Sequence, residues 1–138
     1  MSHTRPVQVH FDDLDAMGLL HNAHYSVLVE RAITAFWTEQ GWHFDPARSR
    51  FKDVFFAVRE FTITYHVPIM GAGEPLVHFW IERMGNTSGV YGFRVLSPDG
   101  ETVHAEGRRV NVNIDPSTLR PTPFSPEIRD AAQVLAAA

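Results

Sequence analysis

Residues 22–40 read NAHYSVLVERAITAFWTEQ, the clearest helical pattern in the chain. The apolar side chains that recur there at steps of three and four residues are Tyr25, Leu28, Val29, Ala32, Ile33 and Phe36. Further apolar residues widen this face beyond a single stripe, which is typical of a helix that protein covers on most sides. Asn22 is suited to cap the amino end of this helix, and Gly41 is suited to end it.

The sequence on either side of this helix alternates with a period of two, as β-strands do. We predict one strand before the helix, at residues 7–11, and four after it, at about 60–67, 76–82, 90–96 and 102–114. Short turns between the later strands make them antiparallel neighbours. The order therefore predicts an α+β fold, in which a curved antiparallel five-stranded sheet packs against one long helix.

The last predicted strand carries its apolar residues on two different parities. Val103 and Ala105 are odd-numbered, whereas Val110, Val112 and Ile114 are even-numbered. A regular strand cannot exchange its two faces, so this change predicts a bulge or a bend near residues 107–109.

Composition limits the classes of protein that fit. With 138 residues, 44% of them hydrophobic, the chain suits a single globular domain over residues 1–138, with a proline-rich tail from about residue 116. A net charge of −4 without a basic stripe argues against a nucleic-acid partner. The absence of a long apolar run and of a secretory signal argues against a membrane partner and for a cytoplasmic location. Having no cysteine excludes disulfides, thiol nucleophiles and cysteine-bound metals.

The densest chemical signal lies just before the helix. Residues 11–25 read FDDLDAMGLLHNAHY and contain three carboxylates, two imidazoles, an amide and a phenol. Unpaired amides and the positive dipole at a helix start stabilise an oxygen that becomes negative. A carboxylate opposite them can attack a carbonyl carbon or take a proton from water. The pattern is therefore compatible with an acyl-transfer site, or with solvated loop charges beside a capped helix.

This segment resembles a known family. Phe11-x-Asp13-x-Asp15-x-x-Gly18, followed by His21-Asn22 and Tyr25, is similar to the 4-hydroxybenzoyl-CoA thioesterase branch of the hotdog-fold thioesterases. Weaker likenesses at residues 56–60 and 110–115 extend the resemblance over about residues 5–126. The resemblance implies a hotdog fold, in which the sheet wraps around the long helix.

The resemblance also implies a reaction and its catalytic groups. Asp15 matches the catalytic carboxylate of the family, acting as a nucleophile or a general base. Asn22 matches the position whose backbone amide faces the thioester carbonyl. The reaction would be hydrolysis of an acyl-CoA or acyl-carrier-protein thioester to a carboxylic acid and a free thiol. No cofactor is expected besides the coenzyme A that forms part of the substrate.

Further positions match the substrate pocket of the family. The residues expected to contribute to substrate binding are Gly18, His21, Tyr25, Val58 and Arg59. Gly18 would let the loop bend close to the acyl group, and Tyr25 would form a wall. Val58 and Arg59 match strand positions that line the pocket from a partner subunit. The resemblance therefore implies a homodimer or a homotetramer.

Three other functions fit parts of the same pattern. A hotdog protein could bind acyl groups without catalysis, or dehydrate a hydroxyacyl chain with Asp15 and His21. A metal-dependent hydrolase could use His21 and His24 with the neighbouring aspartates. The spacing of these groups matches no familiar metal motif, so we predict no metal site.

Overall fold

One antiparallel sheet and one long helix form the computed structural model, which describes residues 1–137. The strands in these residues are β1 His3–Pro6, β2 Phe55–Tyr65, β3 Leu76–Met84, β4 Ser88–Leu96 and β5 Val103–Ile114. The α-helices there are α1 Tyr25–Glu39 and α2 Pro126–Ala132. The strand order across the sheet is β1-β3-β4-β5-β2, so β1 and β2 form its edges.

Helix α1 packs its apolar face against this sheet. Leu28, Val29 and Ala32 are completely buried, and they cluster with Phe79 of β3 and Phe93 of β4. These contacts confirm the predicted α+β hotdog arrangement, because burial of one helical face against a sheet supplies the core. Along residues 1–137, no helix combines the length and the apolarity that crossing a bilayer requires.

The first strand lies nearer the amino terminus than predicted. Strand β1 ends at Pro6, and residues 7–11 are outside the regular ladder. Val7 and Val9 are nevertheless buried, and their amides donate to carbonyl oxygens of residues 73–75. Phe11 begins a 3₁₀ turn and is exposed. The prediction of a strand at 7–11 is therefore wrong, because the regular ladder ends at Pro6 and Val9 then forms an isolated antiparallel bridge with Gly73.

The start of the long helix also differs from the prediction. A single 3₁₀ turn, Asn22–His24, precedes α1. His21 caps this turn, since its ring Nδ1 accepts a hydrogen bond from the Ala23 amide at 3.1 Å. The prediction that Asn22 is the cap is wrong, because the tighter turn moves the helical start by one residue. At the other end Gly41 takes a φ of +100°, as predicted for a helix stop.

Strand β5 shows no bulge at the predicted position. It pairs with β4 in unbroken register through residues 105–112, which include positions 107–109. The nearby irregularity lies on β2, at Arg59. The odd-numbered residues of β5 face inward along this whole stretch. Among them, Arg109 and Asn111 are polar but buried beneath α1. The prediction of a bulge is wrong because it used apolar side chains alone to mark the inner face.

A buried carboxylate attaches the tail to the sheet. Asp53 accepts hydrogen bonds from the Asn113 side chain at 3.0 Å, from the Ser125 amide at 2.9 Å and from the Ser125 hydroxyl. Ser125 also caps α2. The Asp53 side chain is therefore the hydrogen-bond acceptor for three donor groups, which belong to two segments far from it in the sequence.

Replacing Asp53 with alanine is expected to lower the free energy of unfolding by about 3 kcal/mol, because it leaves buried donors unpaired. Urea denaturation of the variant measures this loss. Asp115→Ala is the control, since Asp115 is only partly buried and its side chain accepts hydrogen bonds only within its own turn. Equal losses for the two variants would contradict a special role for Asp53.

Candidate active site

The loop between the first strand and α1 is held in one conformation by its own backbone. The Asp15 amide donates to the Leu19 carbonyl at 2.7 Å, and the Gly18 amide donates to the Asp15 carbonyl at 3.0 Å. Gly18 takes a φ of +76°, a left-handed conformation that glycine adopts without a Cβ penalty. Its carbonyl accepts from the Gly71 amide at 2.9 Å, so the bend also joins the loop to the segment before β3.

Asp15 presents one constrained oxygen and one free oxygen. Its Oδ1 accepts hydrogen bonds from the Met17 amide at 2.8 Å and from the Leu19 amide at 3.1 Å. Its Oδ2 has no hydrogen-bond partner in residues 1–137, and the side chain is only partly buried. The carboxylate is thus oriented by its own loop while one oxygen remains available to a substrate.

Large apolar side chains surround this loop at the surface. Phe11, Met17 and Met70 are each more than three-quarters exposed. Met70 belongs to the segment that bridges to Leu19 on the loop. Exposed apolar groups of this size at a carboxylate suit contact with an apolar acyl group or with another protein chain.

The helix start offers an unpaired amide beside the loop. Among the described residues, the backbone amide of Asn22 has no hydrogen-bond partner, and its carbonyl accepts from the Tyr65 hydroxyl at 3.0 Å. Tyr65 also packs edge-to-face on Tyr25 at 5.0 Å between ring centroids. Burial raises the pKa of Tyr25. Tyr25 therefore forms a neutral aromatic wall at the positive end of the helix.

Asp13 fastens the loop to the helix start. It is buried, and it accepts hydrogen bonds from the His10 amide at 2.8 Å, the His24 ring at 2.9 Å and Arg31 at 3.4 Å. Its own carbonyl accepts from the His21 amide at 3.0 Å. The alternative in which Asp13 is a solvated loop charge is therefore wrong.

These contacts also change the acidity of Asp13. Burial by itself would raise the pKa of this carboxyl, but the hydrogen bonds from His10, His24 and Arg31 outweigh it and lower the pKa to about 2. The lowered value means that the folded protein favours the charged form. The resulting stabilisation is present above the pKa of the unfolded chain and is lost as pH falls through the folded pKa.

Asp13→Asn is expected to cost about 2 kcal/mol of stability at pH 7, and this cost should shrink as pH falls from about 5 to 2. Unfolding free energies of the wild type and the variant, compared across this pH range, measure the change. Asp12→Asn is the matched control, because Asp12 is exposed in the same loop. If the difference in unfolding free energy between the wild type and Asp13→Asn stays constant with pH, the lowered pKa of Asp13 is contradicted.

Val58 and Arg59 lie away from this loop within one chain. They occupy β2 at its register irregularity, and Val58 is half exposed. Tyr65 of the same strand reaches the helix start, and seven residues of strand span about 23 Å. A single chain therefore brings together Asp15, Gly18, His21, Asn22 and Tyr25, but it does not add Val58 and Arg59 to them.

Sequence reasoning missed two features of this region. Tyr65 was predicted only as a strand residue, and no local signal links it to Asn22, which is 43 positions away. In the sequence, Asp13 resembles the other charged residues of the loop. Its hydrogen bonds from three donors in the fold show that it is a buried structural carboxylate. Both contacts depend on segments that folding brings together.

No group of three or more His, Asp or Glu side chains in residues 1–137 is arranged to hold a metal ion. The rings of His21 and His24 lie 5.6 Å apart between centroids, and His24 is hydrogen-bonded to Asp13. The prediction that the protein has no metal site stays a prediction.

A sheet around one helix, with a bent carboxylate loop at the amino end of that helix, defines a protein of the hotdog class. A family model for the thioesterase-like superfamily matches residues 9–132. The chain therefore belongs to the thioesterase-like superfamily, and it is a thioester hydrolase with the hotdog fold.

Individual relatives agree with this family. The acyl-CoA thioester hydrolase YbgC of Escherichia coli O6:H1 is 29% identical over 116 residues, which are 84% of each chain. A thioesterase of Thermus thermophilus, whose structure is a complex with coenzyme A and Zn, is 26% identical. Its TM-score is 0.77 over 96% of this chain and 92% of that chain. The DHNA-CoA thioesterase of Staphylococcus aureus shares the fold, with a TM-score of 0.82 at 18% identity over 96% of this chain and 89% of its own.

Proposed function

We propose that this protein hydrolyses an acyl-CoA thioester, with Asp15 as the reacting carboxylate and the Asn22 amide as the oxyanion donor. One observation carries the proposal. A carboxylate with a free oxygen lies on a loop that is fastened to a helix start, where an amide is unpaired. The carboxylate supplies the reacting oxygen, and the amide lies where an oxyanion would be stabilised.

The proposed reaction begins with the thioester carbonyl oxygen at the Asn22 amide and the positive end of α1. Asp15 then attacks the carbonyl carbon, which forms an anhydride and releases the thiolate, and water hydrolyses the anhydride. Alternatively, Asp15 removes a proton from a water molecule that attacks the same carbon. In both routes the products are a carboxylic acid and coenzyme A. Gly18, His21 and Tyr25 would surround the acyl group.

Release of free thiol from a panel of acyl-CoA esters tests this function. We expect turnover that continues after incubation with a metal chelator. Loss of turnover with the chelator would favour the His/Asp metal-dependent hydrolase, and binding without turnover would favour the acyl-binding protein. The same panel, with matched acyl-carrier-protein esters, identifies the thiol carrier.

The active form is proposed to contain at least two copies of the chain. Strand β2 is eleven residues long and pairs only with β5 among the described residues, so its outer edge is open. Long open edges favour pairing with another strand. Val58 and Arg59 lie on this edge strand, so pairing would bring them toward the site of a second copy.

Mixing two variants tests this shared site. Asp15→Asn and Arg59→Ala should each reduce activity alone. In a random mixture, half of the dimers contain one chain of each variant, and one of the two sites in such a dimer is intact. The mixture should therefore recover about one quarter of the wild-type activity. Light scattering should give a mass of at least twice 15.6 kDa. A monomeric mass, or no recovery after verified subunit exchange, would contradict a site shared between copies.

A further inference from the structure

A cavity lies between α1, from Glu30 onward, and the sheet. Its volume is about 180 Å³. The walls are mainly apolar and aromatic, and they include Ile33, Trp37, Trp42, Phe56, Ile81 and Phe124. The first residue of α1 in the lining is Glu30, which lies five residues, or about 7.5 Å along the helix axis, beyond Tyr25 at the loop of Asp15. The lining contains no residue of the loop that carries Asp15.

Two polar side chains of β5 line this apolar cavity. Arg109 and Asn111 are both more than nine-tenths buried. The Arg109 Nε donates to Asn111 Oδ1 at 2.8 Å, and an Nη of Arg109 forms an ion pair with Glu30. Within residues 1–137, the side-chain NH₂ of Asn111 has no acceptor. Donors with no internal partner therefore line the cavity.

Tyr91 adds a third donor. Its hydroxyl oxygen accepts a hydrogen bond from Trp37 Nε1 at 2.7 Å, and its proton has no acceptor among the described residues. Burial raises the pKa of Tyr91 to about 12, so the hydroxyl keeps its proton at neutral pH. The cavity thus combines a guanidinium, an amide and a hydroxyl.

The acceptor now facing these donors is easily displaced. Glu30 lies at the rim, and its side chain is 53% exposed, whereas that of Arg109 is 6% exposed. An exposed carboxylate can move into water at small cost. The buried guanidinium of Arg109 cannot move into water in this way. A guanidinium in such a position favours a ligand with two oxygens that accept two parallel hydrogen bonds.

We propose that this cavity binds a small organic carboxylate whose apolar body is about the size of one aromatic ring. Arg109 and Asn111 hold the carboxylate, and the aromatic wall holds the body. The size follows from the volume, since an apolar cavity of about 150 Å³ accepts a benzene ring. This site is separate from the proposed thioester site and does not depend on it.

Titration with benzoate, followed by tryptophan fluorescence, tests the proposal, because Trp37 and Trp42 form part of the wall. We expect saturable binding of benzoate and at least about tenfold weaker binding of benzamide, which lacks the charge. Arg109→Met should remove this preference. Arg108→Met is the matched control, since Arg108 is exposed and pairs with Glu82.

Glu30→Gln gives an independent measurement that does not alter the buried arginine. Removing the competing carboxylate should tighten benzoate binding several-fold. Asp15→Asn should bind benzoate as the wild type does, so failure of the thioesterase proposal and failure of this one are distinguishable. Absence of benzoate binding, equal affinity for benzamide, or no tightening in Glu30→Gln would overturn the proposal, even if Arg109→Met fails to fold.

Discussion

Asp15→Asn is expected to lower kcat for acyl-CoA hydrolysis by at least about a hundredfold, or about 2.7 kcal/mol in activation free energy. Asparagine has nearly the same shape, and its Oδ1 can still accept from the Met17 and Leu19 amides. The loop therefore keeps its conformation while the free oxygen is replaced by an NH₂ group. That group can neither attack a carbonyl carbon nor take a proton from water.

The control for this experiment is Asp12→Asn. Asp12 lies in the same loop and is exposed, so the substitution removes the same charge without touching the proposed site. We expect its kcat to stay within about twofold of the wild type, as for surface substitutions without special contacts. Unfolding curves for both variants show whether the fold is intact. If Asp15→Asn keeps activity within about tenfold of wild type, Asp15 is not the reacting carboxylate.

The second large effect is expected from Asn22→Pro. Proline lacks the backbone N–H, and loss of one oxyanion donor costs about 100- to 1,000-fold in kcat. The substitution suits the local backbone, because proline is favoured at the first helical position. The preceding residue, His21, has a ψ of 133°, which a following proline permits. The lost activity would therefore report on the amide and not on a broken helix.

Asn22→Ala separates the backbone from the side chain. It keeps the N–H and removes the carboxamide, so we expect a change in kcat of no more than a few-fold. KM should change little in either variant, because the oxyanion forms mainly in the transition state. Equal losses of kcat in the alanine and proline variants would assign the effect to the side chain and overturn the role of the amide.

Much of the fold is readable from local patterns. The three- and four-residue spacing from Tyr25 to Phe36 predicts α1, and the stop at Gly41 is confirmed. The period-two segments after the helix predict four of the five strands. These predictions succeed because a helix or strand that buries one face repeats its apolar residues at the period of the backbone. The loop before α1 is equally local, so its resemblance to hotdog thioesterases is visible within residues 11–25.

Two of the errors arise where polar groups are buried. Arg109 and Asn111 occupy inner positions of β5, so the apolar residues of that strand suggested a bulge that the register does not contain. Asp13 is buried for a similar reason, since donors from His24 and Arg31 compensate its charge. Such compensation depends on partners from other segments, which no local pattern records.

The chain by itself determined the helix, most of the strands and the family resemblance of the loop that we propose to react, because each follows from neighbours within a few residues. Tertiary structure alone decided which groups meet. It joined Tyr65 to Asn22, separated Arg59 from Asp15, and enclosed Arg109 beneath α1. The physical reason is that strand register and helix packing set these distances, and both are fixed by contacts between residues far apart in the chain.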